Sequence, residues 1–582
     1  MRRTVRLLTV ALIAVLAVMS LAPVTAQEGA VLNVAWPYSV PPTGHFNTFA
    51  SGGMVMGSYS DLFQPPLAVL IWADNVYEGM AAESFGYDED GNYVVTLKSG
   101  HTWSDGSPMT ADDVIATFNL FRLRGDAVWN TLTGMEKVDD MTVKFLMDAP
   151  SSLAERQILT GGNGLRPASV YGDLANRAAE VFESGATSNE DEAWSSLLNE
   201  LVEYRPEAYV SGGPFTIDPA SITEANVTAN LNAGGIGGDA VNFDTVVLWN
   251  GETEVVTPLV ANGELWYITH GIPPTTEQAF VEQGIDILRT GMFSGPAIYV
   301  NHDIYPLNVT EVRQAMAYVI DRQQNGFVSL GESGVAVELM TGMSDALADI
   351  WLTEETIDSL NPYEQDLDMA TSLLEGVGFT KGDDGIWVDD QGNPLAFEMT
   401  FPQEYADWSA AAENAISQLN DFGFNITGRG VQFQQHEQDV YDSNFQMAIR
   451  NWGIGDPIPS LSYLEPYDRW NGQGLLAGEA AGGGMNFPTE VTYSGGTLDV
   501  RDVAITSGQG TDTEAQAALV EQLAVSYNEL LPAIPLWERF TNNALNRNFL
   551  DAPAFDDPIY INDTTPDFWM TYAIMTGLLA PA

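Results

Sequence analysis

The chain has no cysteine, only four lysines (98, 137, 144 and 381) and only five histidines in 582 residues. The missing thiol excludes disulfides, thiolate catalysis, cysteine-type zinc sites and lipid attachment at an N-terminal cysteine. None of the histidines, at 45, 101, 270, 302 and 436, is spaced for a metal. His436-Glu437 begins like a zinc-protease helix, but Val440 stands where the second histidine is required. No G-x-S-x-G nucleophile elbow occurs. Asp88-Glu89-Asp90-Gly91 imitates the start of a calcium loop, yet its glycine comes too early and Ser99 replaces the closing glutamate. Basic charge is scarce as well. Twenty-two Lys+Arg face 79 Asp+Glu, a formal charge of −57. Such a field repels polyanions and excludes nucleic acid as a partner. Acid-rich, lysine-poor surfaces suit high salt, where screening removes self-repulsion, so a saline habitat is expected.

The length calls for two or three lobes rather than one core. An apolar content of 45% with 10% aromatics describes an ordered globular protein. Residues 1–26 read as a secretory signal. Arg2, Arg3 and Arg6 are its charged region, Leu7 to Leu21 its apolar one, and Val24-Thr25-Ala26 its cleavage site. An uncleaved N-terminal anchor is the rival reading. No second run of 18 apolar residues appears, so the mature chain is expected to be soluble.

The most informative stretch runs from Met80 to Leu123. Tyr93, Val95 and Leu97 alternate with Val94, Thr96 and Lys98 in the period of a strand. Asp88 to Asn92 before them predicts a tight hairpin turn. Ser104 to Pro108 turns the chain again, and Thr110 with Asp113 has the spacing of a helix capping box. Val114, Thr117, Phe118 and Phe121 mark the buried face of that helix.

This stretch resembles the signature of the family 5 extracellular solute-binding proteins, the peptide, nickel and oligosaccharide receptors of ABC importers. Ala82-Glu83-Ser84, Trp103-Ser104-Asp105-Gly106, Pro108, Thr110-Ala111 and Asp113-Val114 carry the likeness. Further blocks follow the same pattern: Thr142 to Leu146, Ser211 to Ile217, Ala297 to Asn301, Val312 to Arg322, Met447 to Asp456 and Leu531 to Leu536. In the fourth of these Val312, Ala315, Met316 and Val319 share a helical face, and Arg322 is expected at the helix C-terminus. Trp408, Ala411, Ala412, Ala415, Ile416 and Leu419 predict an amphipathic helix ending near Gly423, then a strand from Phe424 to Thr427. The glycine-rich 232–240 departs from the family and lacks the lysine of a phosphate loop, so it reads as an ordinary loop.

The resemblance implies an α/β, two-lobed periplasmic-binding-protein type II fold with an extra inserted domain and a cleft between lobes. The expected division is lobe one from 27–67, 206–291 and 541–582, an inserted domain at 68–205, and lobe two at 292–540. It implies a receptor rather than an enzyme, with no catalytic residue, metal or cofactor of its own. Di- or oligopeptides are the expected ligand and oligosaccharides the alternative; a nickel chelate, a secreted hydrolase and a surface adhesion or signalling receptor are further readings. The partners are that solute and the permease subunits at the membrane, with a monomer in the periplasm or at the cell surface. Asp456 occupies the segment where peptide-binding relatives place the aspartate that pairs with the ligand's α-ammonium. Trp452 and Arg450 lie beside it, and Tyr463, Trp470, Trp408 and Trp36 are further candidate ligand contacts as aromatic walls. Relatives often carry Glu where this chain has Gln64. Closure is expected about strands near 291 and 540.

Overall fold

The computed structural model describes residues 29–36, 44–50, 53–54, 56–160, 164–251, 253–475, 482–562 and 567–582. The expected signal segment at 1–26 lies outside them.

Two large sheets organise the chain. The first has seven strands, with Val31–Trp36 at its centre running parallel to Thr245–Asn250 and to Tyr267–Ile268. Leu32 and Val34 face one core while Ala35 faces another, so the period-2 alternation of this strand serves both faces. The second sheet has five strands, in the order Asn425–Val431, Ala396–Pro402, Met447–Asn451, Pro296–Val300 and Ala533–Pro535. Pro296–Val300 is buried along its whole length, as a central strand covered on both faces must be. The apolar core around this sheet takes its buried members from Phe293 to Trp537. The first sheet's main core draws on residues before and after that interval, from Leu32 to Leu288 and from Leu545 to Leu579.

A four-stranded antiparallel sheet built from 82–147 packs into the first of these cores. It contains the expected hairpin: Ala82–Tyr87 pairs with Tyr93–Leu97 through a turn in which Asp88 N–H donates to Asn92 O at 2.8 Å and Gly91 takes φ +84°. Tyr93, Val95 and Leu97 are the buried members, as their alternation requires. The helix Ala111–Arg124 opens with the full capping box, Thr110 N–H donating to Asp113 Oδ2 at 2.7 Å, and stops at Gly125 in the left-handed region. The turn before it is held by Trp103, whose ring lies so close to Gly212 that a Cβ there would sit 2.7 Å from it. Gly213 likewise lies against Leu62 O, which explains the paired glycines of the Ser211 to Ile217 block. The 232–240 segment is a run of turns folded onto this block, with Asn232 N–H donating to Pro214 O.

Some expectations need correcting. Arg322 does not end a helix. The helix Thr310–Val319 stops three residues earlier, and Arg322 begins the next one, Arg322–Leu330, which Asp321 caps. Its guanidinium reaches back to Ala317 O in the previous helix and also binds Val337 O and Tyr363 O. The strand expected at 424–427 runs from Asn425 to Val431, because its parallel neighbour Ala396–Pro402 extends equally far.

Two strands carry the chain between the large sheets. Asp286–Leu288 pairs antiparallel with Asn543–Leu545 in the first sheet, and Pro296–Val300 neighbours Ala533–Pro535 in the second. Between them Gly291 bridges Phe540, Met292 N–H donates to Arg539 O, and Thr541 N–H donates to Thr290 O. The crossing falls where strands near 291 and 540 were expected. Glu538 is buried inside it, accepting from Phe293 N–H at 3.0 Å and from Ser344 Oγ at 2.7 Å. Burial pushes its carboxyl up from 4.5 to about 7, with repulsion from Asp345 added and the two hydrogen bonds opposing.

The folded protein therefore holds a proton on Glu538 that the unfolded chain releases between these values. This contribution to stability is full below pH about 4.5 and is lost as pH rises to about 7, on the order of 3 kcal/mol. Asp61, pushed up to about 7, and Asp345, pushed up to about 6, act in the same direction. Thermal melts of Glu538→Gln between pH 5 and 8 should match the wild type at the acid end and exceed it at the alkaline end. An unchanged pH slope would show that Glu538 does not titrate in this window.

Candidate functional site

The helix Ser152–Thr160 lies where the two bodies meet. Its first turn exchanges backbone hydrogen bonds with a loop of the second body: Ser152 N–H donates to Gly510 O at 2.9 Å, Leu153 N–H to Gly508 O at 3.1 Å, and Gly510 N–H to Pro150 O at 3.0 Å. Gln516 Nε2 adds a bond to Ser152 Oγ at 2.7 Å. Trp72 meets Phe293 edge to face, ring centres 4.9 Å apart.

One turn further along this helix stands Arg156, 3% exposed. Its Nε and Nη2 donate to Asp456 Oδ2 at 3.1 and 3.0 Å. Nη2 also meets Asp567 Oδ2 at 2.5 Å. Each carboxylate uses its other oxygen to hold its own segment. Asp456 Oδ1 accepts from Ile458 N–H at 3.0 Å, just before the helix Pro459–Leu464, and Asp567 Oδ1 accepts from Leu70 N–H at 2.7 Å. The Asp456 turn depends on Gly453, whose backbone lies against Phe293 O, and on Gly455, with φ +82°. Burial works against the charge on Arg156, but the two carboxylates outweigh it and hold its pKa above the usual guanidinium range. Asp567 is pushed up by burial, with Arg156 pulling the other way. Arg156 Nη1 is buried and has no hydrogen-bond partner among the described residues.

The other sequence candidates fall in different places. Trp452 is fully buried and its indole donates to Trp537 O at 3.2 Å. Arg450 and Trp470 come together, guanidinium over indole at 3.9 Å, with Tyr441 stacked on the ring at 5.0 Å. Arg450 is also 3.4 Å from His436 Nδ1 and from Glu437 Oε1, and burial lowers its pKa to about 10. Trp470 donates to Glu465 Oε1 at 2.8 Å. Tyr463 is fully buried and stacks on Tyr467. Trp408 is half-buried, edge-on to Tyr405 on the helix Ala406–Phe422. Trp36 ends its strand against the backbone of Gly57. Gln64, buried, neighbours Tyr209.

Arg156 and Asp567 were not among the sequence candidates. Their only sequence signal is the rarity of cations in so acidic a chain. A cavity of about 450 Å³ lies elsewhere, between Arg322, residues 336–339 and the end of the helix Glu354–Ser359 with the loop after it. Among the described residues no group of three or more His, Asp or Glu side chains could hold a metal ion, and no helix is long and apolar enough to cross a membrane.

Two sheets of α/β type, joined by two crossing strands and touching across a buried ion cluster, define a two-lobed binding-protein fold. A periplasmic oligopeptide-binding protein of an ABC transporter from Thermotoga maritima has this fold. It covers 96% of this chain and 100% of its own at 20% identity and TM-score 0.78, and the same protein with bound mannohexaose matches at 19% identity and TM-score 0.71. The model of the bacterial extracellular solute-binding proteins, family 5 (middle), matches residues 76–474, and the chain belongs to that family. The oligopeptide-binding protein OppA of Bacillus subtilis is 25% identical over 467 residues, 75% of this chain and 76% of that protein. A shorter match, 31% over 94 residues, joins 15% of this chain to 15% of the peptidoglycan-binding protein YepA of Agrobacterium fabrum.

Removing one carboxylate from the cluster leaves the buried guanidinium half-paired. Asp567→Ala should lower stability by about 3 kcal/mol, toward the low end for a broken buried pair because Asp456 remains. Thermal denaturation at pH 7.5 checks this, and a loss below about 0.5 kcal/mol would mean that water replaces Asp567 at no cost.

Proposed function

We propose that this family member is the extracytoplasmic receptor of an ABC importer, enclosing a short oligomeric solute between its lobes and delivering it unaltered to the membrane permease. The observation that carries this reading is the joint itself. Two crossing strands link the bodies, and the facing surfaces meet through Arg156 and Asp456, residues 300 positions apart in sequence. Such a joint lets the bodies rotate as units while the contacts between them form or break. We assign lobe one to 27–67, 206–291 and 541–582 with 68–205 inserted, and lobe two to 292–540. The confinement of one apolar core to Phe293–Trp537 supports the latter assignment. The protein acts as a monomer at the periplasmic or outer face of the membrane.

Oligopeptides are the first reading of the solute, supported by the long match to a protein named for binding them. Oligosaccharides are the second, favoured by the mannohexaose held by a protein of the same fold and by the engagement of Asp456 with Arg156. Among the sequence candidates Asp456 is the one placed where the bodies meet, and we assign it to the ligand locus. Trp408 and Trp36, both partly exposed, are better placed to form walls than Trp452, Trp470 and Tyr463, which are buried in the second core. A hydrolase gains no support from the cluster. Its two carboxylates are bound to one guanidinium instead of flanking a bond to be cleaved.

Small-angle scattering of the protein with tri- to hexapeptides and with manno- and cello-oligosaccharides tests the reading. One of these classes should reduce the radius of gyration and raise the melting temperature, with the solute recovered intact. An identical profile with every solute would overturn it.

A further inference from the structure

Every carboxylate oxygen in the Arg156 cluster is already in use. Asp456 offers Oδ2 to two nitrogens of Arg156 and Oδ1 to Ile458 N–H. Asp567 offers Oδ2 to Arg156 and Oδ1 to Leu70 N–H. A cationic group approaching Asp456 Oδ2 would compete with the two guanidinium nitrogens already bound there. Arg156 would then keep Asp567 and lose both of its hydrogen bonds to Asp456. Glu155, its neighbour on the helix, already accepts from Tyr93 Oη at 2.7 Å.

The donor side is the reverse. Arg156 Nη1 is buried and, among the described residues, unpartnered, and a buried N–H left unpaired is costly until an acceptor reaches it. A carbonyl, hydroxyl or carboxylate oxygen supplies that acceptor, whereas an ammonium group, which only donates, cannot.

We propose that Arg156 sets the charge class of the solute: the receptor takes molecules that meet this locus with an oxygen acceptor and rejects those that meet it with a free ammonium. The guanidinium is an internal cation occupying the place a ligand's ammonium would take on Asp456. The assignment rests on the receptor reading given above. It narrows the solute to N-blocked peptides, oligosaccharides or other oxygen-rich oligomers.

Isothermal titration at pH 7.5 tests this with three probes: penta-alanine, N-acetyl-penta-alanine and mannohexaose. The wild type should bind the acetylated peptide at least as tightly as the free one, or bind mannohexaose and neither peptide. Arg156→Gln should reverse the peptide order, favouring the free amine about tenfold or more, and should weaken mannohexaose by a similar factor. Arg156→Lys, which keeps the charge without Nη1, should retain the wild-type order between the two peptides. If Arg156→Gln fails to fold, Arg156→Gln with Asp567→Asn removes one buried charge of each sign and should show the same reversal. A tenfold preference of the wild type for the free amine would overturn the proposal, as would an Arg156→Gln profile identical to it. Binding of none of the three probes by any of these proteins also overturns it. That result condemns the receptor reading too only if the scattering profile is indifferent to every solute tested.

Discussion

A buried guanidinium needs acceptors that meet its N–H groups from fixed directions, and at Arg156 those acceptors are carboxylates from both bodies, which governs how the two fit together. Arg156 arrives on a helix of the first body, Asp456 on a turn of the second, and Asp567 on the returning C-terminal segment. Desolvating three charges costs several kcal/mol per ion, which their attraction offsets only if the geometry is right. The surrounding backbone bonds supply that geometry. The first turn of the helix is pinned to the loop at 508–510, and each aspartate is pinned by one oxygen to a main-chain N–H. A slight shift between the bodies would lose both kinds of contact together.

The same economy of cations runs through the interior. Among the described residues, Arg156, Arg166, Arg313, Arg322 and Arg450 are buried, and no lysine is. Arg313 spreads its nitrogens over Leu307 O, Leu530 O and Leu531 O, and Arg322 ties Ala317, Val337 and Tyr363. A planar fork of five donors can satisfy several carbonyls at once, which a point-like ammonium cannot. Lysine is left to the surface, where Lys137 and Lys144 pair with Asp112 and Asp88. The scarcity of positive charge in this chain is therefore a scarcity at the surface, and the interior retains the arginines it needs.

Much of this was legible in the sequence because the governing interactions are local. The Asp88–Asn92 turn, the Thr110–Asp113 box and the alternation of Tyr93, Val95 and Leu97 each need only neighbours within a few residues. Arg322 was misplaced for the same reason. An arginine after an apolar helical run looks like a C-terminal charge, and only the tertiary positions of Val337 and Tyr363 reveal it as the start of a second helix. The ion cluster was illegible in principle. Arg156 sits in an ordinary amphipathic helix, and its partners lie 300 residues and more downstream, so nothing nearby distinguishes it from a solvated arginine. Trp452, Trp470 and Tyr463 illustrate a different limit, since an aromatic side chain buries as readily in a core as in a wall.

The cluster also links shape to chemistry. The helix Ser152–Thr160 bears both the main-chain contacts that join the bodies and the guanidinium that neutralises Asp456. Because one rigid element carries both, the approach of the bodies and the charge at their junction cannot be set independently. On the proposed reading, parting of the bodies would expose Asp456 and Arg156 to water, with Asp567 still beside Arg156. When the bodies approach, the two must find each other or another partner, since neither tolerates burial alone. On that reading, a solute caught at that moment would be judged by what it offers to a junction where Asp456 is already engaged by Arg156. Selection by charge would then be a consequence of closing on an internal ion pair, with no separate recognition device.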